Sequence, residues 1–155
     1  MENAFFTVRP MAPDDIPAAS ALWRVTEGMG LGESDRPDRL ARFLARNPGL
    51  SAVAVEGNGT LIGAVLCGDD GRRGYLHHLA VRRERRRLGV ARALLAHCFA
   101  GLARNDIERC NIFLLTSNVE GEKFWIREGW KVRDNLKVLQ RSVAPETGGG
   151  CGCSC

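Results

Sequence analysis

From Tyr75 to Leu95 the chain changes period twice, and few architectures accept that passage. The stretch YLHHLAV alternates as a strand does, RRERRRLG follows it, and from Val90 to about Arg104 the residues Val90, Leu94, Cys98 and Leu102 recur every four positions, as on one stripe of a helix. A strand entering a helix through a basic loop, with Gly89 at its end and the small Ala91 just beyond, is how a phosphate site is built. Glycine lets the backbone approach an anion closely, the first helical N–H groups are unpaired, and the helix dipole favours negative charge there. A Walker motif would end in Gly-Lys-Ser/Thr and a dinucleotide fingerprint would need a further glycine, so neither fits.

The rest of the chain alternates in the same way. FFTVR reads as a strand, and DDIPAASALWRVTEG as a helix with Asp14 or Asp15 at its cap and Ile16, Leu22 and Trp23 on its apolar stripe. RPDRLARFLARNPG is a second helix: Leu40, Phe43 and Leu44 share a face, and Asn47, Pro48 and Gly49 stop it. SAVAVEGNGTLIGAVLCG reads as two strands joined at Gly57, Asn58 and Gly59. CNIFLL is an almost continuous apolar run, as expected of a strand buried on both faces. VEGEKFWIREG is a helix closed by Gly129, and WKV and LKVLQ are short final strands. The order predicts an α/β fold with helices on both faces of a sheet. One domain is expected over residues 1–143, followed by a flexible Gly/Cys-rich tail over 144–155.

Composition removes several function classes. A net charge of +4 on 155 residues, with the acids spread throughout, is weak for a general nucleic-acid binder. No run approaches the 18 or so apolar residues of a membrane span, and MENAFFTVRPMAPDD lacks the sections of a signal peptide, so a cytoplasmic setting is expected. Cys67, Cys98 and Cys110 fall in apolar periodic segments and read as small hydrophobes. The three cysteines of GGGCGCSC would make a weak soft-metal site, and no metal is expected.

The segment LAVRRERRRLGVARALL resembles the acetyl-CoA motif of the GCN5-related N-acetyltransferase (GNAT) family, a strand ending in Val followed by Arg/Gln-x-x-Gly-x-Gly/Ala, here Arg86-Arg87-Leu88-Gly89-Val90-Ala91. The likeness extends over nearly the whole chain, through the early helices and hairpin to Asn118 and the late FWIREGW. It implies the acyl-CoA N-acyltransferase fold, with a mixed, mostly antiparallel sheet, and acetyl-CoA as the acyl donor to an amine acceptor. It further implies that the backbone of Leu79, Ala80 and Val81 meets the pantetheine arm. The N–H groups of Arg87, Leu88, Gly89, Val90 and Ala91 would cradle the pyrophosphate, with Arg86 and Arg92 adding charge; Asn118 and Trp125 would flank the arm and thioester.

An alkyl amine has a pKa of about 10.4 and needs a proton acceptor near neutral pH. By strict alternation Tyr75, His77 and Leu79 share one face of the strand and His78 points to the other. Members of the family use a glutamate or histidines at the positions of Tyr75 and His77, so His77 is the expected base. Trp125 stands where the family has a tyrosine. An indole N–H donates a hydrogen bond but does not give up its proton. Either water protonates the leaving thiolate or Tyr75 has a larger role. Asp14, Glu27, Glu33 and Asp35 are acids able to attract a cationic amine, and the segment around the last two is otherwise uninformative. The sequence leaves open a small-molecule amine, a protein N-terminus or a lysine as acceptor, and a homodimer is compatible with it. Two other classes compete: an acyl-CoA sensor without turnover, and a nucleic-acid binder using the arginine run, which lacks the interleaved aromatics of single-strand binders.

Overall fold

The computed structural model describes residues 5–144. The chain divides into two compact units, residues 1–119 and 120–155. The first holds a five-stranded sheet in the order β1-β2-β3-β4-β5: β1 Phe6–Pro10, β2 Ala52–Glu56, β3 Leu61–Asp69, β4 Gly74–Val81 and β5 Cys110–Ile112. The first four strands are successive antiparallel neighbours, while β5 runs parallel to β4. The sheet is therefore mixed and mostly antiparallel. Helices α1 (Ile16–Arg24) and α2 (Pro37–Arg46) precede β2, α3 (Val90–Arg104) joins β4 to β5, and α4 spans Val119–Arg127.

Alternation along β3 shows how the layers are assigned. A Cβ on Gly63 would lie 3.0 Å from Leu94 and from Val90 of α3, so this position faces α3 and its missing side chain lets the helix approach. Ala64 and Leu66 face the other way, into a core shared with Leu22 and Trp23 of α1 and Leu40 and Leu44 of α2. Gly68 continues that face, and a Cβ there would be 2.8 Å from the Phe43 ring. The stripe predicted for α3 is the one it buries: Val90, Leu94, Cys98 and Leu102 are all at most 3% exposed.

Local signals account for most boundaries. Gly59 adopts φ +87° in the turn between β2 and β3, where Glu56 N–H donates to Thr60 C=O at 2.9 Å. Asn47 ends α2 and ties it to the sheet: its amide donates to Phe43 C=O and its oxygen accepts Asp69 N–H at 3.0 Å. Asp15 immediately precedes α1, but its carboxylate accepts Ala12 N–H and the Arg9 guanidinium instead of capping the helix. Cys67 and Cys98 are fully buried; Cys98 and burial push the Cys67 thiol up, and burial pushes Cys110 to about 12, which keeps all-purpose thiolate chemistry out of the core.

Two strand readings change. CNIFLL forms a strand only over Cys110–Ile112, half-buried at the sheet edge, because its register with β4 ends at Leu76↔Ile112, just before β4 bulges. WKV and LKVLQ form no strand: the stretch between them turns, with Leu136 N–H donating to Arg133 C=O at 3.2 Å, and neither piece finds a neighbouring strand among the described residues. A strand's hydrogen bonds come from its neighbour, so apolar residues alone do not make one. The second unit is built around α4, which Gly129 (φ +90°) closes as its sequence predicts. No helix among the described residues is long and apolar enough to cross a membrane. Apart from Ala144, the Gly/Cys-rich tail lies outside the described residues.

Candidate active site

Where β4 gives way to α3, two residues take left-handed backbone, Arg87 at φ +62° and Gly89 at φ +81°. Gly89 is the cap of α3, and the first intrahelical donor is Ala93 N–H, 3.1 Å from Gly89 C=O. The N–H groups of Val90 and Ala91 precede it and are left for an outside acceptor. A Cβ on Gly89 would meet nothing within 4 Å. Its glycine therefore answers to backbone conformation and to what approaches from outside, not to internal packing. Such a run of amides at a helix N-terminus fits a phosphate group.

The arginines before it divide their work. Arg82 Nε donates to Leu61 C=O at 2.8 Å, and Arg85 Nε donates to Glu56 at 2.5 Å while its guanidinium lies 5.4 Å from the Phe5 ring centroid. These two fasten the loop to the sheet. Arg86 donates from Nε to Val81 C=O and from Nη1 to Glu27 Oε1 at 2.6 Å, and Arg83 lies 3.6 Å from the other Glu27 oxygen. The Arg86 hydrogen bond holds the Glu27 carboxyl down at about 2. Both residues line a cavity of about 300 Å³ between the C-terminal half of α1 and the loop. Arg87, Leu88 and Arg92 are exposed, Arg92 on the first turn of α3.

On the sheet side, β5 pairs with β4 only as far as Leu76, so that edge of β4 has no strand alongside it from His77 to Val81 among the described residues. This is the stretch that includes Leu79, Ala80 and Val81. The β3–β4 register slips there: Leu66 pairs with His77 but Ala64 with Ala80, which leaves an extra residue in β4, and His78 takes φ +56°. This bulge corrects the strict alternation read from the sequence. Tyr75 and His77 do share a face, opposite Gly68 and Leu66, but Leu79 is offset from it and His78 is not on the far side. Its ring lies 5.3 Å from Trp23 of α1, and its Nε2 is 2.6 Å from Asp35 Oδ1. Both imidazoles thus face the α1/α2 layer.

Asp35 arrives from the short 3-10 turn Glu33–Asp35 ahead of α2, where its second oxygen accepts Gly32 N–H at 2.8 Å. His77 sits among rings, with centroids 6.2 Å from Phe43 and 6.4 Å from Phe113, and Phe113 also stacks at 6.3 Å on Tyr75. Burial holds His77 below the ordinary imidazole range, His78 lowers it further, and Asp35 opposes both. Of the other residues named from sequence, Asn118 packs against the α1–α2 connection: a Cβ on Gly28 would be 2.6 Å from its Nδ2. Trp125 lies in the second unit, stacked edge-on with Phe124 and Trp130 at 5.2 and 4.9 Å. His97 is bonded to Gly49 C=O, a structural role. Sequence reasoning missed Trp23, Phe43 and Phe113 as neighbours of the histidines, and had Asp35 only as one loop acid among four.

The model of the acetyltransferase (GNAT) family matches residues 18–129. An acetyltransferase of Pectobacterium atrosepticum is 34% identical over 111 residues, 72% of this chain and 77% of that protein. Among solved structures, Ard1 from Thermoplasma volcanium superposes with a TM-score of 0.72 at 17% identity, covering 83% of this chain and 84% of its own. The PaiA N-acetyltransferase of Thermoplasma acidophilum, in complex with coenzyme A, gives 0.69 at 19% identity, over 83% and 91% of the two chains.

Proposed function

Because the chain belongs to the GNAT acetyltransferase family, we propose that it transfers the acetyl group of acetyl-CoA to a primary amine of a small molecule or peptide, in a cytoplasmic setting. One observation carries the reading: a single strand, β4, leads from a bulge bearing two imidazoles directly into an amide-lined helix start. The two ends match the two ends of the donor. The amides of Arg87 to Ala91, with Arg86 and Arg92 for charge, suit the pyrophosphate, and the open edge of β4 from Leu79 to Val81 offers backbone groups to the amide-rich arm. Asn118 belongs to the arm end in this reading.

The chemistry requires a neutral amine at the thioester carbonyl and a group to remove its proton. The β4 face holding Tyr75, His77 and His78 supplies candidates, with Phe43 and Phe113 giving the acceptor an apolar flank. A panel of small-molecule and peptide amines, assayed by release of free thiol from acetyl-CoA, tests the function. Thiol release that requires the amine, with the acetylated amine found by mass spectrometry, supports it. Acetyl-CoA binding without transfer to any amine would leave an acyl-CoA sensor instead.

Glu27 offers a second check on the donor end. Its carboxylate holds Arg86 in the way a phosphate would, so the two compete. Glu27→Gln is expected to tighten acetyl-CoA binding by up to about fivefold at low salt, the scale of an exposed ion pair. Calorimetry reads this directly, and weaker binding would mean that Glu27 supports the loop instead of competing for it.

A further inference from the structure

We infer that His78, not His77, takes the proton of the acceptor amine, and that Asp35 is its positioning residue; the assignment rests on the acetyltransferase reading above. A non-glycine residue at positive φ is sterically unfavourable, and such conformations persist where the surroundings over-determine them. Here the consequence is specific. The φ of +56° turns His78 out of alternation and onto the α1/α2 layer, where Trp23 backs the ring and Asp35 takes one of its nitrogens.

The partner decides which nitrogen is free. A carboxylate only accepts hydrogen bonds, so the Nε2 facing Asp35 Oδ1 at 2.6 Å carries the hydrogen of the neutral ring, and the lone pair is on Nδ1. Nδ1 has no partner among the described residues. Asp35 is itself held, since Oδ2 accepts Gly32 N–H, and its side chain is only 13% exposed beside a His78 side chain at 17%. A fixed carboxylate behind an imidazole orients the ring and stabilises the imidazolium once it forms. His77 has the opposite surroundings: two aromatic rings, no carboxylate bonded to it among the described residues, and burial that resists its charged form. It shapes the site, and His78 accepts the proton.

The transfer then balances. The amine lone pair forms the C–N bond at the thioester carbon while the carbonyl π pair moves to oxygen. The nitrogen, now cationic, passes its proton to His78 Nδ1, and the imidazolium is paired with Asp35. The carbonyl reforms as the C–S bond breaks, and the CoA thiolate leaves with that electron pair. It takes the proton from the imidazolium, directly or through water, giving the amide, the CoA thiol and a neutral His78.

The test uses the purified full chain and the best amine from the panel. Asn tolerates left-handed backbone and cannot take a proton, so His78→Asn is the variant of choice. It should lower kcat by about 10²- to 10⁴-fold while acetyl-CoA affinity changes less than about threefold. His77→Ala should lose less than about tenfold. The titratable groups facing His78 are Asp35 from the α1–α2 connection and His77 on β4, while Trp23 from α1 carries no charge. Asp35→Asn removes the anion that pairs with the imidazolium and fixes the ring, so kcat should fall at least about tenfold with KM little changed, which a loop-clipping role would not produce. Independently of any variant's folding, nitrogen NMR of the wild-type ring should show His78 protonated at Nε2 in its neutral form. Retained rate in His78→Asn, a larger loss in His77→Ala, an unchanged kcat in Asp35→Asn, or an Nδ1–H ring would each overturn the assignment while leaving amine acetylation by the wild type intact. A wild type that binds acetyl-CoA but acetylates no amine overturns the acetyltransferase reading and this assignment with it.

Discussion

Gly89→Val is expected to weaken acetyl-CoA binding by about 10- to 100-fold while α3 still forms. At φ +81° a valine pays the left-handed penalty of about 1–2 kcal/mol, and its branched Cβ makes the strain worse. The backbone relieves that strain by rotating, which turns the amides of Leu88 to Ala91 off their common target. No internal clash adds to this, because a Cβ at Gly89 meets nothing within 4 Å; the new methyl groups extend into the open space proposed for the pyrophosphate. Helix α3 is secured elsewhere, by Val90, Leu94, Cys98 and Leu102 against the sheet, so the far-ultraviolet dichroism should be unchanged. Gly89→Asn serves as the companion: asparagine tolerates this backbone, and its affinity should fall between wild type and valine. Calorimetry on the folded proteins decides the matter. Affinity within twofold of wild type in the valine variant would remove the cradle, and with it the structural basis for placing the donor there.

The helix start proposed as the donor cradle was legible because every signal for it is local. Gly89, the four-residue repeat from Val90, and the arginines occupy one continuous stretch, and α3 begins and ends at the residues its pattern predicts. The hairpin at Gly57–Gly59 is equally local, with its turn residues adjacent in sequence. What sequence could not supply was anything set by a distant partner. The β5 run stops pairing at Ile112 because β4 bulges, and WKV and LKVLQ have strand-forming residues without a neighbouring strand. The bulge is itself the clearest case. YLHHLAV looks like a plain period-two strand, yet one extra residue against β3 moves His78 to the face of His77. Asp35 was hidden for the same reason, since it meets His78 across 43 residues from a loop with no periodicity. The proposed donor end is thus encoded in a segment, and the proposed acceptor end only in the fold.

Trp23 binds these two levels together, and its replacement should have the largest effect on stability. It is 1% exposed, packs with Leu22, Leu40, Leu44 and Leu66, and backs the His78 ring. Trp23→Ala should destabilise the protein by about 3–5 kcal/mol through lost burial and the cavity left behind. For a domain of this size, that is a fall in Tm of roughly 6–20 °C. Trp23→Phe separates packing from polarity. The indole N–H of Trp23 is buried and has no acceptor among the described residues, so the tryptophan already bears an unmet donor. Phenylalanine removes that donor, worth about 1–3 kcal/mol, against a smaller loss of contact, so Trp23→Phe should melt within a few degrees of wild type. The kinetic consequence follows from the ring contact: Trp23→Phe keeps an aromatic surface behind His78 and should retain most of the rate, whereas Trp23→Ala frees the imidazole to rotate away from Asp35. Thermal melts of both variants, with rates measured well below the lower Tm, distinguish the outcomes. If Trp23→Phe were as damaging as Trp23→Ala, the indole N–H would have to be making a bond that matters, and His78 would owe its orientation to polarity at Trp23 instead of packing.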